Sequence, residues 1–327
     1  MKVYISRIIP KEGIEILQNA GLEITQYSGK TEIPSTELIA ICNKHDLFLS
    51  VGNNTIDRTF LEACKHLKGI ALMSVGYDRV DIAAATALGI PISNTPDVLS
   101  KATSDTAFLL ILAVSRNAFY MHDSISKKQW GFFEPTANLG IELYNKTLGI
   151  FGLGRIGLEL AMKCKAAYNM PVIYHNRKPN KEAEKILGAK YVSFDELLTE
   201  SDVISVHANL SDQTREIFNK DAFSKMKHSA IFINTARGGL HNEQDLTEAL
   251  EHKKIWGAGL DVTNPEPMAW DNPLLNMRNV CVLPHIGSAT IETRAKMAIT
   301  AADNIVAAMQ GKPMPQVIDK QVYSIRK

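Results

Sequence analysis

Short apolar runs alternate along the chain with stretches whose apolar residues recur at helical spacing. In the first third, the apolar runs predict strands, and the helical stretches predict helices that end before a glycine. The strands are predicted at residues 3–6, 47–51, 70–74 and 91–93, and the helices include Lys11–Asn19 and residues 81–88. This alternation is typical of a parallel sheet covered by helices.

A second series of the same kind begins at Thr147. Ser193 and Glu196 have the spacing of a capping box for a helix over residues 194–199. A long helix is predicted at Ile291–Met309, before a short tail. The strands of this series are predicted at residues 148–152, 172–176, 203–207, 231–235, 257–262 and 280–284. The fold class is therefore α/β, with two Rossmann-like or flavodoxin-like lobes that each hold a parallel sheet.

Composition narrows the class of protein. The length of 327 residues corresponds to about two domains of ordinary size. Hydrophobic residues make up 45% and charged residues 22%, which excludes collagen-like, disulfide-scaffold and disordered chains. A formal net charge of +1 creates no field that would attract nucleic acid or acidic lipid. Because neither a signal peptide nor an apolar stretch of roughly 20 residues is recognisable, we expect a cytoplasmic protein without nucleic-acid or membrane partners.

Cysteine and histidine give no sign of a metal or disulfide framework. The cysteines form no C-x-x-C pair, and the histidines outside the segments described below have no metal-ligand spacing. The thiols are therefore expected to be buried and free, and no metal is expected. The cysteines are Cys42, Cys64, Cys164 and Cys281.

A glycine-rich turn follows the first strand of the second series. Its sequence, Gly152-Leu153-Gly154-Arg155-Ile156-Gly157, fits G-x-G-x-x-G and opens the predicted helix Arg155–Tyr168. Gly152 permits a tight turn, Gly154 lets a pyrophosphate approach the backbone, and Gly157 lets helix and strand pack closely. The N–H groups at the start of the helix would bind the phosphates. An ordinary strand–helix turn is the alternative interpretation.

The residues after the next strand bear on the choice between NAD and NADP. An NAD site has an acidic residue about 20 positions after the glycines. At 19 positions after Gly157 the chain has Asn176, followed by Arg177 and Lys178. A 2′-phosphate would meet no repulsion there and could gain about 1.5–3 kcal/mol from charge-assisted hydrogen bonds to Arg177. NADP(H) is the preferred cofactor on this reasoning, and NAD(H) or a merely solvated basic turn are the alternatives.

Polar residues also follow three later strands, at the edge where open α/β sheets bind ligands. Arg237 and His285 each come just after a predicted strand, and Glu266 lies in a loop between Pro265 and Pro267. Together these residues suggest an acid–base pair and a cationic clamp. Structural ion-pair residues are the alternative.

With these segments the chain resembles the D-isomer-specific 2-hydroxyacid dehydrogenases over essentially its whole length, and among them the glyoxylate/hydroxypyruvate reductases. The resemblance rests on residues 74–78, 94–98, the glycine turn, 234–239, 259–262 with Glu266 and Pro267, and 284–290. Together with the pattern of two lobes, this resemblance predicts that the chain divides into three segments. A substrate-binding domain begins with residues 1–100, a dinucleotide-binding Rossmann domain spans 101–290, and a C-terminal helix and tail, 291–327, return to the first domain. The active site is expected in the cleft between the domains.

The resemblance implies roles for individual residues. His285 would donate a proton to the substrate carbonyl oxygen, Glu266 would hydrogen-bond the imidazole, and Arg237 would grip the substrate carboxylate. Further substrate contacts are expected from Val75, Gly76 and Ser288. Further cofactor contacts are expected from Thr103, His207, Ala208, Thr235, Ala236 and Asp261. In the loop after His207 the family's usual proline is replaced by Asn209.

The reaction implied is the reduction of a small 2-ketoacid, glyoxylate to glycolate or hydroxypyruvate to D-glycerate. One alternative is a reductase of another D-2-hydroxyacid, including a phosphoglycerate dehydrogenase-like enzyme. The other is a non-catalytic, corepressor-like protein that senses dinucleotides. The resemblance also implies a homodimer formed through the cofactor-binding domain. Phe132 and Phe133 lie in an irregular aromatic segment, where they either fill the core, cap a pocket or contact a second subunit.

Overall fold

Apolar strands form two parallel sheets, one in each of the two units into which the chain divides. The computed structural model describes residues 1–325, so that residues 326 and 327 of the predicted C-terminal tail lie outside the described residues. Unit 1 holds Met1–Leu99 and the chain from Ala289 onward, and unit 2 holds Ser100–Ser288. The predicted α/β class with parallel sheets is confirmed.

The sheet of unit 1 has the strand order β2-β1-β3-β4-β5, with all pairs parallel, as in flavodoxin-like folds. Its strands are β1 Lys2–Ile5, β2 Glu23–Gln26, β3 Leu47–Ser50, β4 Ile70–Leu72 and β5 Ile92–Ser93. The central strand β3 is buried at every position, because helices cover both faces of the sheet. The edge strand β2 has no fully buried residue, and its polar sequence explains why the pattern of apolar runs missed it.

The helices of unit 1 come from both ends of the chain. They are α1 Lys11–Asn19, α2 Ser35–Cys42, α3 Arg58–Ala63, α4 Ile82–Ala87, α12 Ile291–Met309 and α13 Val322–Ile325. Helix α1 packs closely on α12, where a Cβ at Gly13 would come within 2.9 Å of the Ala298 carbonyl oxygen. The absence of a side chain at Gly13 therefore lets the two helix backbones approach.

The sheet of unit 2 has the order β12-β11-β10-β9-β6-β7-β8, again with all pairs parallel. Its strands are β6 Leu148–Phe151, β7 Val172–His175, β8 Lys190–Tyr191, β9 Val203–Val206, β10 Ile231–Asn234, β11 Gly257–Leu260 and β12 Val280–Val282. The chain runs outward in opposite directions from β6 and β9, so these neighbours form the topological switch point. Ligands of open α/β sheets bind at the carboxyl ends of such strands.

Helices, several of which begin at a side-chain cap, cover this sheet. They are α5 Ser100–Ser115, α6 Ala118–Ser126, α7 Arg155–Tyr168, α8 Lys181–Leu187, α9 Phe194–Glu200, α10 Lys220–Lys225 and α11 Glu243–Glu251, with 3-10 turns at Gly238–Leu240 and Pro273–Asn276. The predicted capping box is confirmed, since Ser193 Oγ accepts from the Glu196 N–H while Glu196 accepts from the Ser193 N–H. In one core cluster Phe218 packs edge to face on Phe151, and Phe223 packs edge to face on Phe232.

All four cysteines are buried and free, as predicted. Within residues 1–325 no group of three or more His, Cys, Asp or Glu side chains could hold a metal ion. None of the helices in this part of the chain is long and apolar enough to cross a membrane.

Candidate active site

The glycine turn lies at the switch point of the unit 2 sheet, between the end of β6 and helix α7. Gly152 has a φ of +96°, and a Cβ there would come within 2.5 Å of the Ala208 backbone nitrogen, after β9. A Cβ at Gly157 would approach the Gly152 carbonyl oxygen to 3.0 Å, whereas a Cβ at Gly154 would meet no atom within 4 Å. The first and third glycines therefore permit close packing, and Gly154 leaves open space over the turn.

The surroundings of this turn fit a dinucleotide. Helix α7 begins at Gly154 without a side-chain cap among the described residues, so backbone N–H groups of its first turn are available to an anion. Two buried polar atoms at neighbouring strand ends, His207 Nδ1 and Thr235 Oγ1, have no hydrogen-bond partner among residues 1–325. Burial lowers the pKa of His207 to about 3, so its ring is neutral, with Nε2 2.9 Å from Ser205 Oγ. Orphaned buried polar atoms of this kind are consistent with a bound polar group.

Asn176, directly after β7, is already engaged with the glycine turn. Its Oδ1 accepts from the Leu153 N–H at 2.6 Å, and the side chain of Asn180 donates to the Leu153 carbonyl at 3.0 Å. Arg177 and Lys178, which follow Asn176, are exposed. The basic pair therefore projects from a turn whose asparagine side chains are bonded to the glycine turn.

The same turn is held on its other side by β8 and α8. The Tyr191 hydroxyl donates to the Asn176 carbonyl at 2.9 Å, and the Asn180 N–H donates to the Tyr174 hydroxyl at 2.8 Å. Tyr174 in turn donates to Glu184, which pairs with Lys181. Asn180 was not among the residues expected at the site. As the cap of α8 it could be predicted only to begin a helix, not to contact the glycine turn.

His285 and Glu266 form the closest acid–base pair of the site. His285 Nδ1 lies 2.6 Å from Glu266 Oε1, and both side chains are partly exposed. Burial raises the pKa of Glu266. The hydrogen bond from His285, the charge of His285 and the charge of Arg237 lower it, and the resulting pKa lies below the usual value of a glutamate. An ionised carboxylate can only accept, so Nδ1 carries a proton and Nε2 is left for a reacting group.

Asp261 determines the conformation of the His285 turn. His285 has a left-handed backbone, with φ at +54°. Both carboxylate oxygens of Asp261 accept backbone hydrogen bonds at 2.8 Å, from the N–H groups of Ile286 and Gly287. Burial raises the pKa of Asp261, and these two donors oppose that rise. Thr103 adds a hydrogen bond to the Gly287 carbonyl at 3.0 Å, so both predicted cofactor residues here contact the His285 turn.

Arg237 follows β10, and its turn packs against the loop that carries Glu266. Asn234 accepts from the Ala236 N–H and donates to the Arg237 carbonyl, which closes the turn. A Cβ at Gly238 would lie only 1.9 Å from the Thr263 carbonyl oxygen. Strands β10, β11 and β12 are neighbours, so Arg237, Asp261 and His285 all emerge at one edge of the sheet.

Sequence reasoning missed the residue that fastens the Glu266 loop. Glu243, the first residue of α11, accepts from the Asn264 N–H at 2.9 Å and from the Asn272 amide at 2.7 Å. Helix starts attract acidic residues for reasons of capping and dipole alone, so this position carried no functional signal. The loop after His207, where Asn209 replaces the usual proline, is closed by Thr214 Oγ1, which donates to the Asn209 carbonyl.

The predicted substrate residues of unit 1 lie just after β4. Asn94 donates to the Val75 carbonyl at 2.9 Å, and Ser74 Oγ donates to the Gly76 carbonyl at 2.8 Å. The bond from Asn94 orients the peptide group that joins Val75 to Gly76, and the bond from Ser74 orients the one that joins Gly76 to Tyr77. In unit 2, Ser288 is half-buried, directly after the His285 turn.

Comparison with known proteins identifies relatives of the whole chain. A family model described as the NAD binding domain of D-isomer specific 2-hydroxyacid dehydrogenases matches residues 108–287. The matched segment includes the glycine turn, Arg237, Glu266 and His285. The chain is also 39% identical over 296 residues to glyoxylate/hydroxypyruvate reductase B of Salmonella gallinarum, a match over 89% of this chain and 91% of that protein.

Solved structures of related reductases also superimpose on nearly the whole chain. A glyoxylate reductase from Paecilomyes thermophila superimposes with a TM-score of 0.87 at 33% identity, over 98% of this chain and 99% of that one. An NADPH-dependent glyoxylate/hydroxypyruvate reductase from Sinorhizobium meliloti, solved with NADP and malonate, superimposes with a TM-score of 0.85 at 28% identity, over 98% and 97%.

Proposed function

The chain belongs to the D-isomer-specific 2-hydroxyacid dehydrogenase family, and from this we propose that it reduces glyoxylate to glycolate or hydroxypyruvate to D-glycerate. The observation that carries the proposal is the 2.6 Å contact between His285 and Glu266 at the sheet edge where Arg237 also emerges. The family also supports a nicotinamide dinucleotide as cofactor and a small ketoacid or hydroxyacid as substrate.

His285 is the proton donor of this proposal. When bound, the reduced nicotinamide supplies a hydride to the substrate carbonyl carbon. His285 Nε2 donates its proton to the carbonyl oxygen, and Glu266 holds the ring through Nδ1 and stabilises its positive charge. In the reverse direction neutral His285 accepts the proton from the hydroxyl group.

Substrate binding rests on charge and on fixed backbone donors. The planar guanidinium of Arg237 matches the geometry of a carboxylate and also polarises the adjacent carbonyl. We extend the proposal to the N–H groups of Val75 and Gly76 and to Ser288 as further substrate contacts. The hydrogen bond from Asn94 to the Val75 carbonyl supports this role, because it orients the peptide group that carries the Gly76 N–H. The bond from the Thr95 N–H to the Ser74 carbonyl likewise orients the peptide group that carries the Val75 N–H.

The cofactor would be held along the carboxyl edge of β6, β9 and β10. The proposed phosphate contacts are the N–H groups of Arg155, Ile156 and Gly157 in the first turn of α7, because those of Gly152, Leu153 and Gly154 already donate within the protein. Gly152, Leu153 and Gly154 would line the dinucleotide with their backbone. His207, Ala208, Thr235 and Ala236 would line the remainder, and Thr103 and Asp261 would support the nicotinamide end. We infer a preference for NADPH, because Arg177 and Lys178 are exposed beside Asn176 and that turn has no acidic residue to repel a 2′-phosphate.

A homodimer through unit 2 is the assembly that we propose. Helix α6 has no buried residue, although it carries Phe119, Tyr120 and Ile125. In the aromatic segment, residues 130–139, the exposed fractions are 78% for Trp130, 81% for Phe132 and 86% for Phe133. Phe132 and Phe133 therefore do not fill the core of their own chain. Contiguous exposed apolar side chains of this size are typical of an interface.

Initial rates of reduced-nicotinamide oxidation test the function. We expect turnover of glyoxylate and hydroxypyruvate, faster with NADPH than with NADH, and slow turnover of pyruvate and 3-phosphohydroxypyruvate. Preference for a larger or phosphorylated ketoacid would leave the family's reaction in place but would show that the proposed substrate is wrong. Tight NADPH binding without turnover of any 2-ketoacid would favour the dinucleotide-sensing alternative.

A further inference from the structure

His241 is a buried histidine that the proposed chemistry does not use, and it lies close in sequence to Arg237. Both His241 and Asn234 have no exposed surface. The His241 ring packs edge to face on Phe232, with 5.8 Å between centroids, and its Nδ1 lies 3.0 Å from Asn234 Nδ2. The two polar side chains therefore meet beneath the turn that carries Arg237.

The partners of Asn234 fix the orientation of its amide group. The Ala236 N–H donates to Oδ1 at 3.0 Å, and Nδ2 donates to the Arg237 carbonyl at 2.9 Å. A carbonyl oxygen only accepts, so the atom facing it must be the amide nitrogen. The second hydrogen of that nitrogen points to His241 Nδ1, which must accept it.

This pattern requires one protonation state of His241. The ring is neutral and carries its proton on Nε2, a buried atom with no partner among the described residues. Burial lowers the pKa of His241 to about 4, and no charged side chain contributes to that shift. A proton on Nδ1 would face the Asn234 amide hydrogen and break the contact.

We propose that His241 is a positioning residue for Arg237. It accepts a hydrogen bond from Asn234, whose amide group holds the backbone of Ala236 and Arg237 and so sets the direction of the guanidinium. The inference rests on the proposed function, in which Arg237 binds the substrate carboxylate. Displacement of a binding group by about 1 Å can cost about a hundredfold in rate, so a loosened turn should weaken ketoacid binding.

Two substitutions separate the hydrogen bond from the bulk of the side chain. His241→Leu removes the acceptor, whereas His241→Asn places an amide oxygen close to the position of Nδ1. We expect His241→Leu to raise KM for glyoxylate and hydroxypyruvate by about tenfold or more, with a smaller effect on kcat and on the Kd of NADPH. His241→Asn should restore KM to within about threefold of the wild type.

Leu198→Ala is the matched control for lost stability. Leu198 is buried in the same core cluster as Phe232 but lies on α9. This variant should lower Tm while leaving KM unchanged. If His241→Leu does not fold, His241→Phe keeps a ring against Phe232 and still removes the acceptor. A wild-type KM in the apolar variant, or an asparagine variant as defective as the leucine variant, would overturn the inference.

Arg237→Ala, measured in parallel, separates this inference from the proposed function. If Arg237→Ala leaves KM for the ketoacids unchanged, the carboxylate clamp itself is wrong. If Arg237→Ala raises KM strongly and His241→Leu does not, the clamp stands and only the role of His241 fails.

Discussion

The hydrogen bonds that a polar side chain makes within the protein determine whether it is available to a ligand. Asn176 occupies the position of the acidic residue of an NAD site, yet its side chain is bonded to Leu153 of the glycine turn. Arg177 and Lys178 are the exposed charges beside it. At the residue scale, we therefore propose that the basic pair discriminates between NADPH and NADH.

Arg177→Ala should weaken NADPH binding about tenfold to a hundredfold and NADH binding only slightly, because only NADPH carries the 2′-phosphate. Fluorescence titration gives both Kd values. The variant Asn176→Asp gives a second test of the same site. The aspartate keeps an acceptor for the Leu153 N–H but adds a negative charge that repels the 2′-phosphate. Equal losses for both cofactors in Arg177→Ala would show that the 2′-phosphate is bound elsewhere.

Acid stability tests the protonation state of His241. Its pKa is about 4 in the folded protein and 6.5 as the unperturbed value. Unfolding therefore takes up a proton below pH 6.5, and the stability present above that pH is lost as the pH falls through 4. This loss amounts to about 3 kcal/mol by pH 4.

His241→Asn has no such group, so its free energy of unfolding should fall less steeply between pH 6.5 and 4. Urea denaturation of both proteins at several pH values measures the difference. Parallel profiles would mean that His241 is not a buried neutral histidine.

Some residues of the candidate site could be predicted from the sequence, and others could not. Arg237 and His285 could be singled out because each directly follows a predicted strand, and Glu266 because it lies in a loop between two prolines. Asn180 and His241 could not, since their roles depend on partners in other turns: Asn180 bonds to Leu153, and His241 bonds to Asn234. No periodicity or spacing reports such a contact.

At the scale of elements, the site depends on how the turn after β10 docks on the loop after β11. Gly238 packs against the Thr263 carbonyl, and Glu243 of α11 fastens Asn264 and Asn272. The two segments supply Arg237 and Glu266. The separation of these two charges is therefore set by backbone packing as well as by their own side chains.

Gly238→Ala should disrupt this docking, because its Cβ would overlap rigid backbone at Thr263. We expect kcat/KM for the ketoacid to fall by about tenfold or more. Gly239→Ala is the matched control, since the atom nearest to its Cβ is the flexible end of Leu210, at 3.1 Å. Steady-state kinetics of the two variants provide the comparison, and equal effects would contradict the proposed docking.

Strong hydrophobic patterns explain which elements could be predicted. The strands of the two sheets with continuous apolar runs were recognised, and α1, α7 and α12 have the predicted bounds. The edge strands β2 and β8 were missed, because neither has a buried residue that would produce an apolar run. The other two edge strands, β5 and β12, are largely buried and were predicted, so exposure and not edge position removes the pattern.

At the scale of the whole molecule, the exposed apolar side chains of α6 and the aromatic segment form the surface of the proposed dimer. Phe132→Glu combined with Phe133→Glu should convert a dimer, of twice the 36.1 kDa chain mass, into a monomer in light scattering. Ile186→Glu, at an exposed apolar position on α8, should remain dimeric. A wild-type protein that is monomeric at micromolar concentration would refute the assembly.

The proton donor is the central claim, and the turnover of His285→Ala with hydroxypyruvate and saturating NADPH tests it most directly. The account predicts a kcat lower by about 10²–10⁴, with the Kd of NADPH nearly unchanged, because general acid catalysis is lost while the cofactor contacts remain. A kcat close to that of the wild type would contradict the assignment of His285 and, with it, the proposed mechanism.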